Sequence, residues 1–164
     1  MEETITTTLE DRAGKYLTFR LANEEYGLEI LKVKEIIGLM NVTELPHTPD
    51  YVKGVINLRG KVIPVVDLRL RFGLEEAEYT DKTCIIVVEI YENGTNAQIG
   101  VIVDSVSEVL NITAEDLEET PKFGMSLNTD YILGMAKKEG GVKILLDIDC
   151  VLSREEINAL GAMK

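Results

Sequence analysis

Short apolar runs, each broken by glycine, proline or a polar cluster, recur along the whole 164-residue chain. Runs of five to seven residues with such punctuation are the signature of strands rather than helices. In the first half they predict strands over residues 16–21, 26–30, 52–56 and 61–66, with a bent piece around 33–37. The stretch Gly54-Val-Ile-Asn-Leu-Arg-Gly60-Lys-Val-Ile-Pro-Val-Val-Asp67 reads as a hairpin whose Gly60 can take the positive φ of a tight reversal. Pro64 cannot donate a ladder hydrogen bond and is expected at an edge or bulge.

The pattern occurs twice. A shift of 80 positions carries Tyr51, Gly54, Gly60, Val62 and Asp67 onto Tyr131, Gly134, Gly140, Val142 and Asp147 without a gap. Upstream, a shift of 73 lays Gly27, Val33, Glu35, Ile36 and Ile37 over Gly100, Val106, Glu108, Val109 and Leu110. The difference between the shifts places a seven-residue insertion in the second copy's loop over 111–130. Five short strands left as an open sheet would expose two edges, so closure is expected. The predicted fold is all-β: two similar small five-stranded barrels, SH3-like or OB-like, packed side by side. The expected division is a loose tail over 1–14, barrels over 15–81 and 82–152, and a helix over 153–164. That helix opens with the capping box Ser153-Arg-Glu-Glu156.

Composition narrows the chemistry. A net charge of -12 argues against a phosphate-binding surface, and absent Trp argues against an aromatic base platform. No apolar run exceeds strand length, the longest spanning 84–88, and the N-terminus carries no signal-peptide core, so neither membrane insertion nor export is expected. Cys84 and Cys150 have no metal-knuckle spacing and read as small buried hydrophobes. One histidine, His47, rules out a two-His metal site. Neither metal nor cofactor is expected. Asp67 and Asp147 each precede an apolar turn and can cap it; the competing reading is a catalytic carboxylate pair.

Divergence between the copies marks candidate contacts, since a position both copies keep is explained by the fold they share. Asn57, Leu58 and Arg59 become Lys137, Lys138 and Glu139 at the equivalent turn, so the turn itself does not demand them. Arg59 is either a solvated turn charge or a grip for a partner's carboxylate, carbonyl or amide. Glu35 keeps its counterpart in Glu108 and is either structural or a contact. Val33 and Ile36 belong to a segment apolar on more sides than one barrel can bury, so they are either core or the wall of a cleft between barrels. Apolar walls beside a carboxylate and an arginine would suit an amphipathic helix.

The run Glu25-Tyr-Gly-Leu-Glu-Ile-Leu-Lys-Val-Lys-Glu-Ile-Ile, then Tyr51-Val-Lys-Gly-Val-Ile-Asn-Leu-Arg-Gly and Ile63-Pro-Val-Val-Asp-Leu-Arg, resembles the CheW family of bacterial chemotaxis coupling proteins. The likeness continues through Gly100-Val-Ile-Val-Asp-Ser-Val-Ser-Glu-Val-Leu and covers all but the N-terminal tail. It implies a non-enzymatic cytoplasmic adaptor, recruited to membrane-associated receptor arrays and monomeric when isolated. Such an adaptor joins the cytoplasmic hairpin tip of chemoreceptors to the regulatory domain of the histidine kinase CheA. Val33, Glu35, Gly54 and Arg59 match positions implicated in receptor coupling, with Asn57 and Leu58 beside them and Ile36 added by the groove argument. The alternatives are a CheW-like module of a CheA or CheV protein, or a small acidic barrel enzyme built on Asp67 or Asp104.

Overall fold

The computed structural model describes residues 12–92, 95–118, 131–138 and 141–152. Among the described residues, eleven strands run in chain order as β1 Gly14–Leu21, β2 Glu24–Glu29, β3 Val33–Gly38, β4 Val52–Leu58, β5 Lys61–Asp67, β6 Cys84–Glu92, β7 Thr95–Val103, β8 Ser105–Ile112, β9 Leu117–Glu118, β10 Ile132–Lys138 and β11 Gly141–Leu146. Two one-turn helices follow the last strand of each copy, α1 Leu68–Arg71 and α2 Ile148–Val151. The expected strands are present to within a few residues at each end. The tail through residue 11, the capping box and the terminal helix lie outside the described residues.

Two sheets form, ordered β3-β6-β7-β5-β4 and β8-β1-β2-β11-β10-β9. Neither is made by one half of the chain, which corrects the expected split at residues 81 and 82. The β1–β2 hairpin leaves its own copy and joins β8 to β11, while β6–β7 joins β3 to β5. The physical reason lies in the duplication itself: equivalent hairpins offer equivalent edges, so either could complete either sheet. The exchanged seams are equivalent parallel pairs, β2 with β11 through Gly27↔Leu145 and β7 with β5 through Gly100↔Val65. A Cβ added at Gly27 would stand 2.9 Å from Leu145 Cδ2, and at Gly100 2.7 Å from Ile85 Cγ2. Glu25, registered opposite Lys143, accepts its ion pair at 2.7 Å and further pins the first seam.

Both sheets close on themselves. Beyond β3, Thr43 forms a bridge to Val55 on β4, the opposite edge of the five-stranded sheet. In the other sheet β8 leads through a single 3-10 turn, Ala114–Asp116, into two-residue β9, whose Glu118 pairs with Met135. Val55 and Met135 are equivalent under the 80-residue shift, so β9 is the counterpart of the Thr43 bridge and makes the second barrel six-stranded rather than five.

Burial follows this architecture. Ile56, Leu58, Ile63, Val65, Ile85, Val87 and Ile102 fill one barrel. Tyr16, Ile112, Leu117, Ala136 and Leu145 fill the other. A third, larger core lies between them and includes Leu17, Phe19 and Leu21 of β1 with Ile86, Val88 and Ile90 of β6. Strands β1 and β6 thus alternate between a barrel interior and the shared core, which explains why β6 is apolar at consecutive positions. Pro64 stands in an inner strand, not at an edge; the β5–β7 ladder begins one residue later at Val65, so its missing N–H falls before the first registered pair.

Asp67 and Asp147 cap their turns. Asp67 Oδ1 accepts from the N–H of Arg69 at 3.0 Å, and Asp147 Oδ1 from that of Cys150 at 3.4 Å. Asp67 Oδ2 also accepts from the Tyr79 hydroxyl at 2.8 Å, and burial followed by that bond pushes the Tyr79 hydroxyl above its ordinary value. Cys84 and Cys150 are not joined in a disulfide, and each is half-buried rather than fully enclosed.

Candidate functional site

The site begins at a bulge. In the β3–β6 ladder Val33 pairs with Val88 but Glu35 with Val87, so one residue of β3 is extra. A bulge of this kind reorients the side chains on either side of it. Val33 packs against the shared core, and Ile36, opposite Ile86, lies on the same face. Ile36 nevertheless keeps 44% of its surface exposed. Along the chain beyond β3, Leu39 and Met40 are exposed as well. Val33 is partly buried and Ile36 is exposed.

Across the closing edge of the barrel stands the β4–β5 turn. Leu58 pairs with Lys61, leaving the two-residue loop Arg59-Gly60. Both loop residues take positive φ, +52° and +87°, as a tight hairpin of this hand requires. The Asn57 side chain accepts the Gly60 N–H at 2.8 Å and holds the loop from below. From this support Arg59, 68% exposed, donates to the Glu35 carboxylate, which is one-third exposed. Twenty-four residues apart in sequence, the two charges meet across the barrel edge.

Three of the sequence-derived candidates have roles inside the fold. Leu58 is only 9% exposed and belongs to the barrel core, although its counterpart Lys138 is charged. In the second barrel Lys138 reaches Asp116 at 3.3 Å, so each copy solves the same position differently. Asn57 is exposed but serves the turn, and Gly54 is buried with φ +142°. A Cβ on Gly54 would meet the Thr43 carbonyl oxygen at 2.0 Å. Of the other candidates, Arg59 and Glu35 meet as an ion pair, while Val33 and Ile36 lie on the opposite face of β3 from Glu35. Replacing Asn57-Leu58-Arg59 by Lys-Lys-Glu is therefore not a neutral surface exchange. It puts a lysine into a packed core and is expected to destabilise the protein by about 2 to 5 kcal/mol. Chemical denaturation of the triple variant and of Leu58→Lys alone would show whether that one position accounts for the loss.

Sequence reasoning missed Arg69 and Arg71. Arg69 clasps Asp104 through Nε to Oδ1 at 2.9 Å and Nη2 to Oδ2 at 2.8 Å, and Ala22 N–H adds 2.8 Å. Burial opposes the Asp104 charge, but these donors outweigh it and hold the carboxyl below its ordinary range. That is the reverse of what a general acid needs. Because the folded state takes up this proton at lower pH than the unfolded chain, the stabilisation is complete above the unfolded value of about 3.9. It fades as pH falls through the lower folded value. Asp104→Asn should lower the melting temperature near neutrality and flatten its fall between about pH 5 and pH 2, where carboxylates of this kind titrate. Among the described residues no group of three or more His, Cys, Asp or Glu is placed to hold a metal ion, and no helix is long and apolar enough to cross a membrane.

The double barrel thus carries a charge pair at the tip of the β4–β5 hairpin and exposed apolar residues on and just beyond β3. The CheW-like domain family model matches residues 15–156. Chemotaxis protein CheW of Klebsiella aerogenes is 43% identical over 143 residues, covering 87% of this chain and 84% of that protein. Chemotaxis protein CheW of Rhizobium meliloti is 36% identical over 155 residues, covering 90% and 97%. The crystal structure of scaffolding protein TtCheW from Thermoanaerobacter tengcongensis superimposes with a TM-score of 0.77 at 35% identity, covering 88% of this chain and 95% of that one. The chain belongs to the CheW-like family, the coupling adaptors of bacterial chemotaxis.

Proposed function

We propose that this chain joins chemoreceptors to the histidine kinase CheA by binding, without catalysing a reaction and without a metal or cofactor. The receptor's cytoplasmic hairpin tip docks along β3, at Val33, Glu35 and Ile36, and on Arg59 of the β4–β5 turn. The observation that carries this reading is the ion pair that Arg59 makes with Glu35 from the tip of the β4–β5 hairpin, on a β3 strand whose next residue, Ile36, is exposed. A charge pair near exposed apolar residues favours an amphipathic helix bearing its own polar residues, since covering the pair with a wholly apolar partner would cost its desolvation. An exposed pair is worth little to the fold itself, so exchanging it for partner contacts costs little.

Gly54 contributes indirectly, by letting the Thr43 segment close the barrel and so fixing where β3 stands relative to the hairpin. The ends of the barrels meet the kinase's regulatory domain. The protein acts in the cytoplasm at receptor arrays and is monomeric when isolated. Pull-down with a receptor cytoplasmic fragment and with CheA, separately and together, tests the proposal. It expects capture of each alone and of both at once; failure to retain either partner would refute the adaptor role.

A further inference from the structure

The core shared by the two barrels is apolar, and apolar burial is non-directional. By itself it holds the barrels together without strongly fixing their rotation. Among the described residues, one of the cations at the junction crosses it in a defined geometry. Arg71, the last residue of α1, lies with its guanidinium 5.1 Å from the ring centroid of Tyr51 and 4.8 Å from that of Tyr131. It donates from Nη2 to the Tyr131 hydroxyl and from Nε to the Val151 carbonyl at 3.0 Å. Tyr51 enters β4 of one barrel, and Tyr131 enters β10 of the other.

The placement follows the internal symmetry. Tyr51 and Tyr131 are equivalent under the 80-residue shift, and so are Arg71 and Val151. Arg71 therefore sits where the two copies face each other, and it contacts its own counterpart. Only one copy supplies the charge there. A planar fork that stacks and donates at once constrains angle as well as distance, which a lysine or an aliphatic side chain cannot do.

We propose that Arg71 locks the angle between the barrels, and that this fixed angle lets receptor occupancy at one barrel influence a kinase contact on the other. The second half rests on the function proposed above; the first does not. Cysteines introduced at Val62 and Val142, equivalent exposed positions on the two barrels, carry spin labels in a Cys84→Ser, Cys150→Ser background. With Arg71 intact, the full chain should give one narrow inter-label distance. Arg71→Met, which keeps the stem and removes the fork, should broaden or shift it. The same variant should keep its separate affinities for receptor fragment and CheA while receptor-dependent control of the kinase falls by about tenfold, within the usual range of coupling between sites.

An unchanged distance distribution in folded Arg71→Met protein overturns the lock. If that variant does not fold, Tyr131→Phe decides, because it removes the hydroxyl acceptor and leaves the ring: broadening supports the lock and an unchanged distribution overturns it. A broadened distribution with normal kinase control would leave the lock standing and refute its role in coupling.

Discussion

Gly54→Ala should destabilise the protein by about 3 kcal/mol or more, while Gly134→Ala, its equivalent in the second copy, should cost distinctly less. Both glycines lie where the barrel-closing segment crosses the strand. At Gly54 the added carbon would stand 2.0 Å from the Thr43 carbonyl oxygen and 2.7 Å from the Thr43 carbonyl carbon. Backbone cannot yield there without breaking the pair of hydrogen bonds between Thr43 and Val55, at 2.8 and 2.9 Å. The φ of +142° adds a conformational cost for any side chain. At Gly134 the nearest atom is the Glu118 carbonyl oxygen at 3.2 Å, a distance that a small shift of two-residue β9 relieves. Urea denaturation of the two variants would measure the difference. Receptor binding should fall with Gly54→Ala even in the folded fraction, because the Thr43 closure positions β3 against the hairpin.

Much of this fold was legible because the strands carry their own punctuation. Val52 to Leu58 and Lys61 to Asp67 are bounded by residues that only a turn or a cap accepts, and Asp67 and Asp147 cap as their positions suggest. The exchange of hairpins was not legible. Two copies of one pattern specify which strands form but not which copy they complete, and that choice rests on seam contacts such as Glu25 with Lys143 that no local pattern announces. Closure of the second barrel through β9 was hidden for the same reason, since two residues carry no periodicity.

The comparison of copies served the site unevenly. It singled out Arg59, whose side chain leaves its own turn to meet Glu35 on β3. It misjudged Leu58, because divergence was read as freedom when each barrel had found its own partner for that position, apolar in one and Asp116 in the other. Extended fourteen residues past Asn57, the same comparison reaches Arg71 facing Val151, a divergence whose meaning appears only once the two copies are brought together.

Charge reversal at Glu35 and Arg59 has the second large effect. Glu35→Arg and Arg59→Glu should each weaken receptor binding by roughly 1 to 3 kcal/mol, as expected for a residue at the centre of an interface. Stability should change little at Arg59, which is 68% exposed, since exposed pairs contribute about 0 to 1 kcal/mol, and more at Glu35, which is one-third exposed. Ile36→Ser should add to the binding loss without unfolding the barrel, because 44% of that side chain is already in water.

The doubly reversed protein, Glu35→Arg with Arg59→Glu, separates a contact from an internal brace. It restores the ion pair across the barrel edge while presenting each charge where the receptor meets its opposite. Titration calorimetry of wild type, both single variants and the double variant against one receptor cytoplasmic fragment, with melting curves alongside, is the most direct measurement. We expect the double variant to fold normally and to bind no better than the singles. Recovery of wild-type affinity would mean that the pair only holds β3 to the hairpin, and that the receptor docks elsewhere.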